Sequence, residues 1–284
     1  MKIKRIAVLG AGTMGHGIAQ VSAMSGFQVR LHDIDASRLE TARQHVEDNL
    51  QKGIDKGKVT EDQRKLVNES LQVTTDLGEA TGDAEMVIEA APERLELKKE
   101  IFTKLAGLCS NETILATNTS SLPVTEIASH VANPGRVIGM HFFNPPHILK
   151  LLELVTAIQT TSATLEAAQQ VGEKLGKEVI VVKDSPGFAT SRLGVILALE
   201  AIRMVEAGVA SPEDIDKAMT LGYNHPMGPL RLTDLVGLDV RLAIADHLHR
   251  EIGGDQYQAP PLLRQMVRAG KLGKKSGEGF YRWS

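Results

Sequence analysis

The sequence predicts an α/β protein: a doubly wound sheet with a helical projection, followed by an all-α C-terminal domain. Three observations predict it. Short apolar runs ending at glycine or a polar residue recur through the first 185 residues and alternate with helical stripes, as expected of buried strands joined by crossover helices. A glycine-rich turn separates the first such run from the first helix. Beyond residue 185 the strand-like runs stop, and apolar spacings of three and four take over. The expected boundaries are therefore 1–185 for the α/β domain and 186–284 for the helical one.

The elements follow in order. Ile6-Ala7-Val8-Leu9 is a continuous apolar run ending at Gly10, the pattern of a strand covered on both faces. Residues 18–24 are helical in character and stop at Gly26, and residues 27–31 form a second strand that ends at His32-Asp33. Strand, helix and strand within about thirty residues make a βαβ unit. Leu39, Ala42, Val46 and Leu50 then mark one face of a helix. The next strand waits until residues 71–74, far more chain than a crossover needs, so the surplus is expected to project as a helical hairpin. Lys52, Lys56 and Lys58 lie at its tip beside two glycines. Further strands are expected at 86–88, 113–116, 136–140, 151–155 and 179–182, with helices at 93–108 and 164–175. Asp184-Ser185-Pro186-Gly187 is a turn signal. After it come helical stripes at Val195, Leu199, Ile202 and Val205, at Val240, Ile244 and Leu248, and at Leu262 and Met266. Ser211-Pro212 starts a helix with serine at the cap and proline in the first turn.

Composition excludes several classes. With 42% hydrophobic and 24% charged residues the chain resembles a folded globular protein, and a net charge of −3 offers no nucleic-acid surface. Cys109 is the sole cysteine, which excludes an internal disulfide and fits a reducing compartment. The N-terminus has a basic start without the apolar stretch and cleavage site of a leader, and no run approaches the ~18 apolar residues of a membrane helix. A cytoplasmic protein is expected. No zinc or calcium ligand motif is present, so no metal is expected.

Gly10-Ala11-Gly12-Thr13-Met14-Gly15 matches G-x-G-x-x-G, follows a strand, opens a helix and is followed about twenty residues on by Asp33 at the end of the second strand. That context is the dinucleotide-binding fingerprint of a Rossmann domain. Gly10 allows the tight turn, Gly12 lets the backbone approach the pyrophosphate, and Gly15 lets helix pack on strand. Thr13 and Met14 open the helix, whose positive end receives the phosphates. Asp33 can accept from the ribose hydroxyls and would repel a 2′-phosphate, which favours NAD. Arg38, nearby in sequence, keeps NADP as the alternative.

On the substrate side, Thr117-Asn118-Thr119-Ser120-Ser121 lies just past a strand, where open α/β sheets place ligands. His141 ends the next strand and Glu153 lies on the strand after it. His16 and His147 are near the cleft without an evident role, and His225 is expected to order a loop. Taken with Ala91-Pro92-Glu93, His141-Phe142-Phe143-Asn144-Pro145, Asp184-Ser185-Pro186-Gly187-Phe188, Asn224-His225-Pro226-Met227-Gly228-Pro229 and Gly277-Glu278-Gly279-Phe280-Tyr281, these motifs make the whole chain resemble the 3-hydroxyacyl-CoA dehydrogenase family, in size its single-function bacterial members.

The resemblance implies NAD-dependent oxidation of a 3-hydroxyacyl-CoA thioester, and the reverse. His141 matches the catalytic base, Glu153 the carboxylate that orients it, and Ser120 a residue that hydrogen-bonds the reacting oxygen. Glu93, Lys98, Ser120, Asn144 and Lys275 match positions at or near NAD, and the hairpin lysines Lys52, Lys56 and Lys58, with Ser120, match the coenzyme A side. Histidine, with a pKa near 6.5, suits removal of a hydroxyl proton at neutral pH. Ser191 departs from the pattern: family members commonly carry asparagine there, which touches substrate, and serine is a shorter donor and acceptor. Two other readings compete. One is an NAD-dependent dehydrogenase of a free hydroxy or sugar acid, which needs no hairpin lysines; the other is a non-catalytic NAD-binding protein, which would have no use for His141 and Glu153. The family is usually dimeric, and a homodimer through the helical domain is expected.

Overall fold

The structure, a computed structural model, describes residues 3–283. Met1 and Lys2, part of the N-terminal reading, lie outside the described residues, as does Ser284. The chain divides into two compact units, Met1–Asp184 and Ser185–Ser284.

The first unit runs β1 (Arg5–Leu9), α1 (Thr13–Met24), β2 (Gln28–His32), α2 (Ala36–Asp55), α3 (Glu61–Ser70), β3 (Leu71–Thr74), α4 (Leu77–Thr81), β4 (Met86–Glu89), α5 (Leu95–Leu108), β5 (Ile114–Thr117), α6 (Val124–Ala128), β6 (Val137–Phe142), β7 (Leu151–Thr156), α7 (Ser162–Lys174) and β8 (Glu178–Lys183). The eight strands form one sheet in the order β3-β2-β1-β4-β5-β6-β7-β8. Neighbours from β3 to β6 are parallel, β7 is antiparallel to β6, and β8 is parallel to β7. The reversal follows from chain length. Residues 143–150 are all that join β6 to β7, and a parallel crossover needs a dozen residues or more. This reversal sets His141 directly opposite Glu153 in the register.

β1, β4 and β5 are buried on both faces, and Ile6, Val8, Met86, Ile88, Ile114 and Ala116 belong to the main core. The helix after β1 starts at Thr13, earlier than the apolar pattern predicts, because Gly12 supplies its N-cap and glycines 15 and 17 are accommodated in its first turns. The expected hairpin is present as α2 and α3. Asp35 caps α2 by accepting from Ser37 N–H, and Thr60 and Gln63 form a capping box at α3. Leu39, Ala42, Val46 and Leu50 are buried in the main core, so the base of the hairpin packs rather than projects. Its tip carries Lys52, Lys56 and Lys58 exposed around Gly57, whose φ of +64° a side chain would strain. The short helices α4 and α6 have no counterpart in the sequence reading.

The second unit is helical: α8 (Thr190–Glu206), α9 (Pro212–Gly222), α10 (Pro229–Val236), α11 (Leu238–Ile252) and α12 (Pro261–Arg268). Ser211 caps α9 as expected, its hydroxyl accepting from Asp214 N–H. Val195, Leu199, Ile202, Leu230, Leu238 and Leu248 form its core. One stripe is corrected. Val240 is 40% exposed, and the inward face of α11 is Leu238, Arg241, Ala245 and Leu248. A buried arginine occupies a core position that a hydrophobic pattern passes over, which shifts the stripe; burial pulls its guanidinium down to about 10. Asp234, buried on α10, accepts from Phe280 N–H, Tyr281 N–H and Trp283 Nε1–H, so one carboxylate fastens the C-terminal segment.

Candidate active site

The glycines of the first turn differ in what surrounds them. Gly10 has φ +97°, and a Cβ there would stand 2.7 Å from Ala90 O. At Gly15 a Cβ would stand 1.6 Å from Gly10 O, so helix and turn touch through bare backbone. At Gly12 a Cβ would meet nothing within 4 Å, and the residue is exposed. Gly12 therefore opens onto space beside the start of α1. That start has neither a side-chain cap nor an acidic residue in its first turn, so its first N–H groups are available to an anion. Asp33, at the end of β2, is 8% exposed; Oδ2 accepts from Ala11 N–H at 2.8 Å and Oδ1 from Asp35 N–H at 3.1 Å. A cradle of bare backbone and a fixed carboxylate at the second strand end fit NAD: the N–H groups would hold the pyrophosphate and Asp33 the ribose.

Beyond β4 and β5 the chain builds a second ledge. Glu93 Oε1 accepts from Thr119 Oγ1–H at 2.6 Å, Ser120 N–H at 2.8 Å and Ser120 Oγ–H at 3.2 Å. Asn118 Oδ1 accepts from Phe142 N–H at 2.9 Å, which ties this turn to β6. Lys98 is 1% exposed and is held by Glu89, with Glu93 Oε2 3.4 Å away. Sequence reasoning missed Glu89, Asn118 as a tether and Thr119. Glu89 carried a signal, a charge closing the apolar run of β4.

His141 and Glu153, opposite one another on β6 and β7, are 7% and 0% exposed, and His141 Nδ1 lies 2.6 Å from Glu153 Oε2. A carboxylate only accepts, so Nδ1 carries the hydrogen, and in the neutral ring Nε2 is the basic nitrogen. The Phe143 ring lies against the imidazole, centroids 4.4 Å apart. The following loop is seated on α1, where a Cβ at Gly17 would stand 2.7 Å from Pro146 Cδ. Lys177 donates to Pro146 O and, at 2.7 Å, to Leu149 O; burial lowers its ammonium below the usual lysine range. Asn144 is exposed in this loop. Burial also lowers His16 and His147, which favours their neutral rings.

Ser191 opens α8 and Lys275 follows α12, both in the second unit. Lys275 Nζ donates to Asp239 Oδ2 at 2.6 Å. Among the described residues no cluster of three His, Cys, Asp or Glu side chains could hold a metal, and no helix is long and apolar enough to cross a membrane.

A dinucleotide cradle with a buried histidine–carboxylate pair at the far strand ends is the arrangement of an NAD-dependent oxidoreductase. Residues 5–185 match the 3-hydroxyacyl-CoA dehydrogenase, NAD binding domain, and residues 187–283 match the 3-hydroxyacyl-CoA dehydrogenase, C-terminal domain. The chain belongs to the 3-hydroxyacyl-CoA dehydrogenase family. It is 46% identical over 281 residues to a probable 3-hydroxybutyryl-CoA dehydrogenase of Bacillus subtilis, covering 99% of this chain and 98% of that one. It is 44% identical over 281 residues to a 3-hydroxybutyryl-CoA dehydrogenase of Mycobacterium tuberculosis, covering 98% of each. The crystal structure of (S)-3-hydroxybutyryl-CoA dehydrogenase PaaH1 from Ralstonia eutropha superposes with a TM-score of 0.96 at 39% identity, covering 100% of both chains.

Proposed function

We propose that this protein interconverts a short-chain (S)-3-hydroxyacyl-CoA, 3-hydroxybutyryl-CoA above all, and its 3-oxoacyl-CoA. The observation that carries the reading is the His141–Glu153 pair at 2.6 Å, on the same sheet whose first turn has the dinucleotide cradle. NAD, when bound, supplies the hydride acceptor. His141 Nε2 takes the hydroxyl proton as the alcohol is oxidised, and returns it in the reverse direction. Glu153 holds the ring by Nδ1 and stabilises the imidazolium, as the carboxylate of a base–orienter pair does. Ser120 hydrogen-bonds the reacting oxygen, its hydroxyl leaving Glu93 Oε1 while Thr119 Oγ1–H and Ser120 N–H keep the turn on that carboxylate. Asp33 accepts from the ribose, and Thr13 and Met14 present N–H groups to the pyrophosphate. Asn144 and Lys275 act on the cofactor side, and Ser191 contacts the acyl end. Lys52, Lys56 and Lys58, exposed at the hairpin tip, suit the phosphates of coenzyme A. A cytoplasmic location fits a chain with one cysteine.

NADH oxidation with acetoacetyl-CoA and with free acetoacetate, side by side, tests this. Turnover of the thioester alone is expected. Equal rates, or turnover of the free acid alone, would replace the acyl-CoA reading with that of a free keto-acid reductase.

The second unit (residues 185–284) is the substrate and dimerisation domain in this reading. Leu193, Val209, Leu221 and Tyr223 on it are between 63% and 82% exposed, apolar side chains of the kind an interface between two copies would cover. Light scattering at micromolar concentration should give twice the 30.7 kDa of one chain; a mass of one chain would remove the dimer.

A further inference from the structure

Glu89, the last residue of β4, has no part in the roles above, yet its carboxylate is wholly buried and fully engaged. Oε1 accepts from Ala91 N–H at 2.6 Å and Lys98 Nζ at 2.7 Å; Oε2 accepts from Thr117 Oγ1–H at 2.6 Å and Lys98 Nζ at 2.9 Å. Lys98 Nζ also lies 3.4 Å from Ala91 O and 3.4 Å from Glu93 Oε2. The ammonium thus stands between two carboxylates, hydrogen-bonded to Glu89 at both oxygens and only loosely paired with Glu93. The far side of Glu93 is what holds Thr119 and Ser120.

A buried ion pair is a weak source of net stability, because neutral side chains of the same shape often serve as well. Its place one residue away from the Ser120 turn gives it another use. We propose that Glu89 is a positioning residue for Ser120: by capturing Lys98 it keeps that ammonium from closing further on Glu93, which then stays with the Thr119–Ser120 turn. With the charge at position 89 removed, Glu93 is the carboxylate left beside Lys98. The lysine closes on its Oε2 and draws the carboxylate away from the three donors held at Oε1. The catalytic part of this inference rests on Ser120 contacting the reacting oxygen, as proposed above.

The test compares Glu89→Gln and the double variant Glu89→Gln/Lys98→Met with the wild-type chain. Five quantities are read: kcat and KM for acetoacetyl-CoA, NADH affinity by fluorescence, the Ser120 amide proton shift in 15N-labelled protein, and the thermal midpoint. In Glu89→Gln, kcat should fall by about 10- to 100-fold, the scale of a misplacement near ~1 Å, with KM and NADH affinity little changed. The Ser120 amide should move upfield as its bond to Glu93 weakens. The double variant removes the competing ammonium, so the amide shift should return most of the way to wild type; Lys98 lies among the cofactor-side residues, and the amide alone is read in that variant. A folded Glu89→Gln with wild-type kcat and an unmoved amide overturns the proposal, as does a folded double variant whose Ser120 amide is displaced as far as in the single one. Should Glu89→Gln fail to fold, the double variant against wild type decides by the Ser120 amide shift. Absence of acetoacetyl-CoA turnover in the wild-type chain would defeat the substrate reading instead, and the amide shift would still decide whether Glu89 positions Ser120.

Discussion

Replacing His141 by glutamine should lower kcat by ~10²–10⁴-fold, the range that positioned acid–base catalysis contributes. The histidine is 7% exposed and its ring is fixed on two sides, by Glu153 Oε2 at 2.6 Å and by the Phe143 ring. Glutamine has similar reach and can still donate an N–H to the buried Glu153, so the carboxylate keeps a partner and the two strands keep their register. What it cannot do is take a proton. The cradle at α1 and Asp33 lie on other strands, so NADH affinity, followed by fluorescence titration, should stay near wild type. Steady-state kcat with acetoacetyl-CoA and that titration together check the assignment. An unchanged kcat would take His141 out of the mechanism, and lost NADH binding would make the substitution a structural one.

How much of this was legible depended on whether the physical cause was local. The glycine turn was legible because each requirement arises within a few residues: a positive φ at Gly10, backbone touching backbone at Gly15, open space at Gly12. Asp33 was legible from its place at a strand end. The pairing of His141 with Glu153 was not contained in the periodicity, which puts both residues on strands without saying how the strands run. Resemblance supplied that pairing; the eight residues between β6 and β7 were the local clue to the antiparallel turn. Glu89 was passed over because a charge after Met86-Val87-Ile88 looks like the end of a buried strand. Its meaning lies in Lys98 on α5 and Thr117 on β5, contacts that only the assembled sheet creates. Arg241 misled for a related reason: an apolar-stripe reading gives no core position to a guanidinium. The five-residue helices α4 and α6 are too short to generate a period.

The glycines also allow the cofactor site to be tested apart from the stability of the fold. At Gly12 a methyl group would meet no protein atom within 4 Å, and the backbone there, φ −71° and ψ −166°, is one that alanine adopts freely. Alanine is a somewhat poorer N-cap than glycine, while its smaller loss of chain entropy on folding acts the other way, so the thermal midpoint of the unliganded protein should barely move. If the pyrophosphate crosses this position, as the cradle implies, the same methyl group occupies space the ligand needs. NADH affinity in Gly12→Ala should then fall by about tenfold or more, each tenfold being ~1.4 kcal/mol. Gly15→Ala is the contrasting case. Its Cβ would lie 1.6 Å from Gly10 O, so helix and turn must separate, and both the midpoint and NADH binding should fall together. Calorimetric melting and NADH titration on the two variants separate the effects. Wild-type affinity in Gly12→Ala would mean that the dinucleotide does not pass over this turn, and the glycines would then be present for helix packing alone.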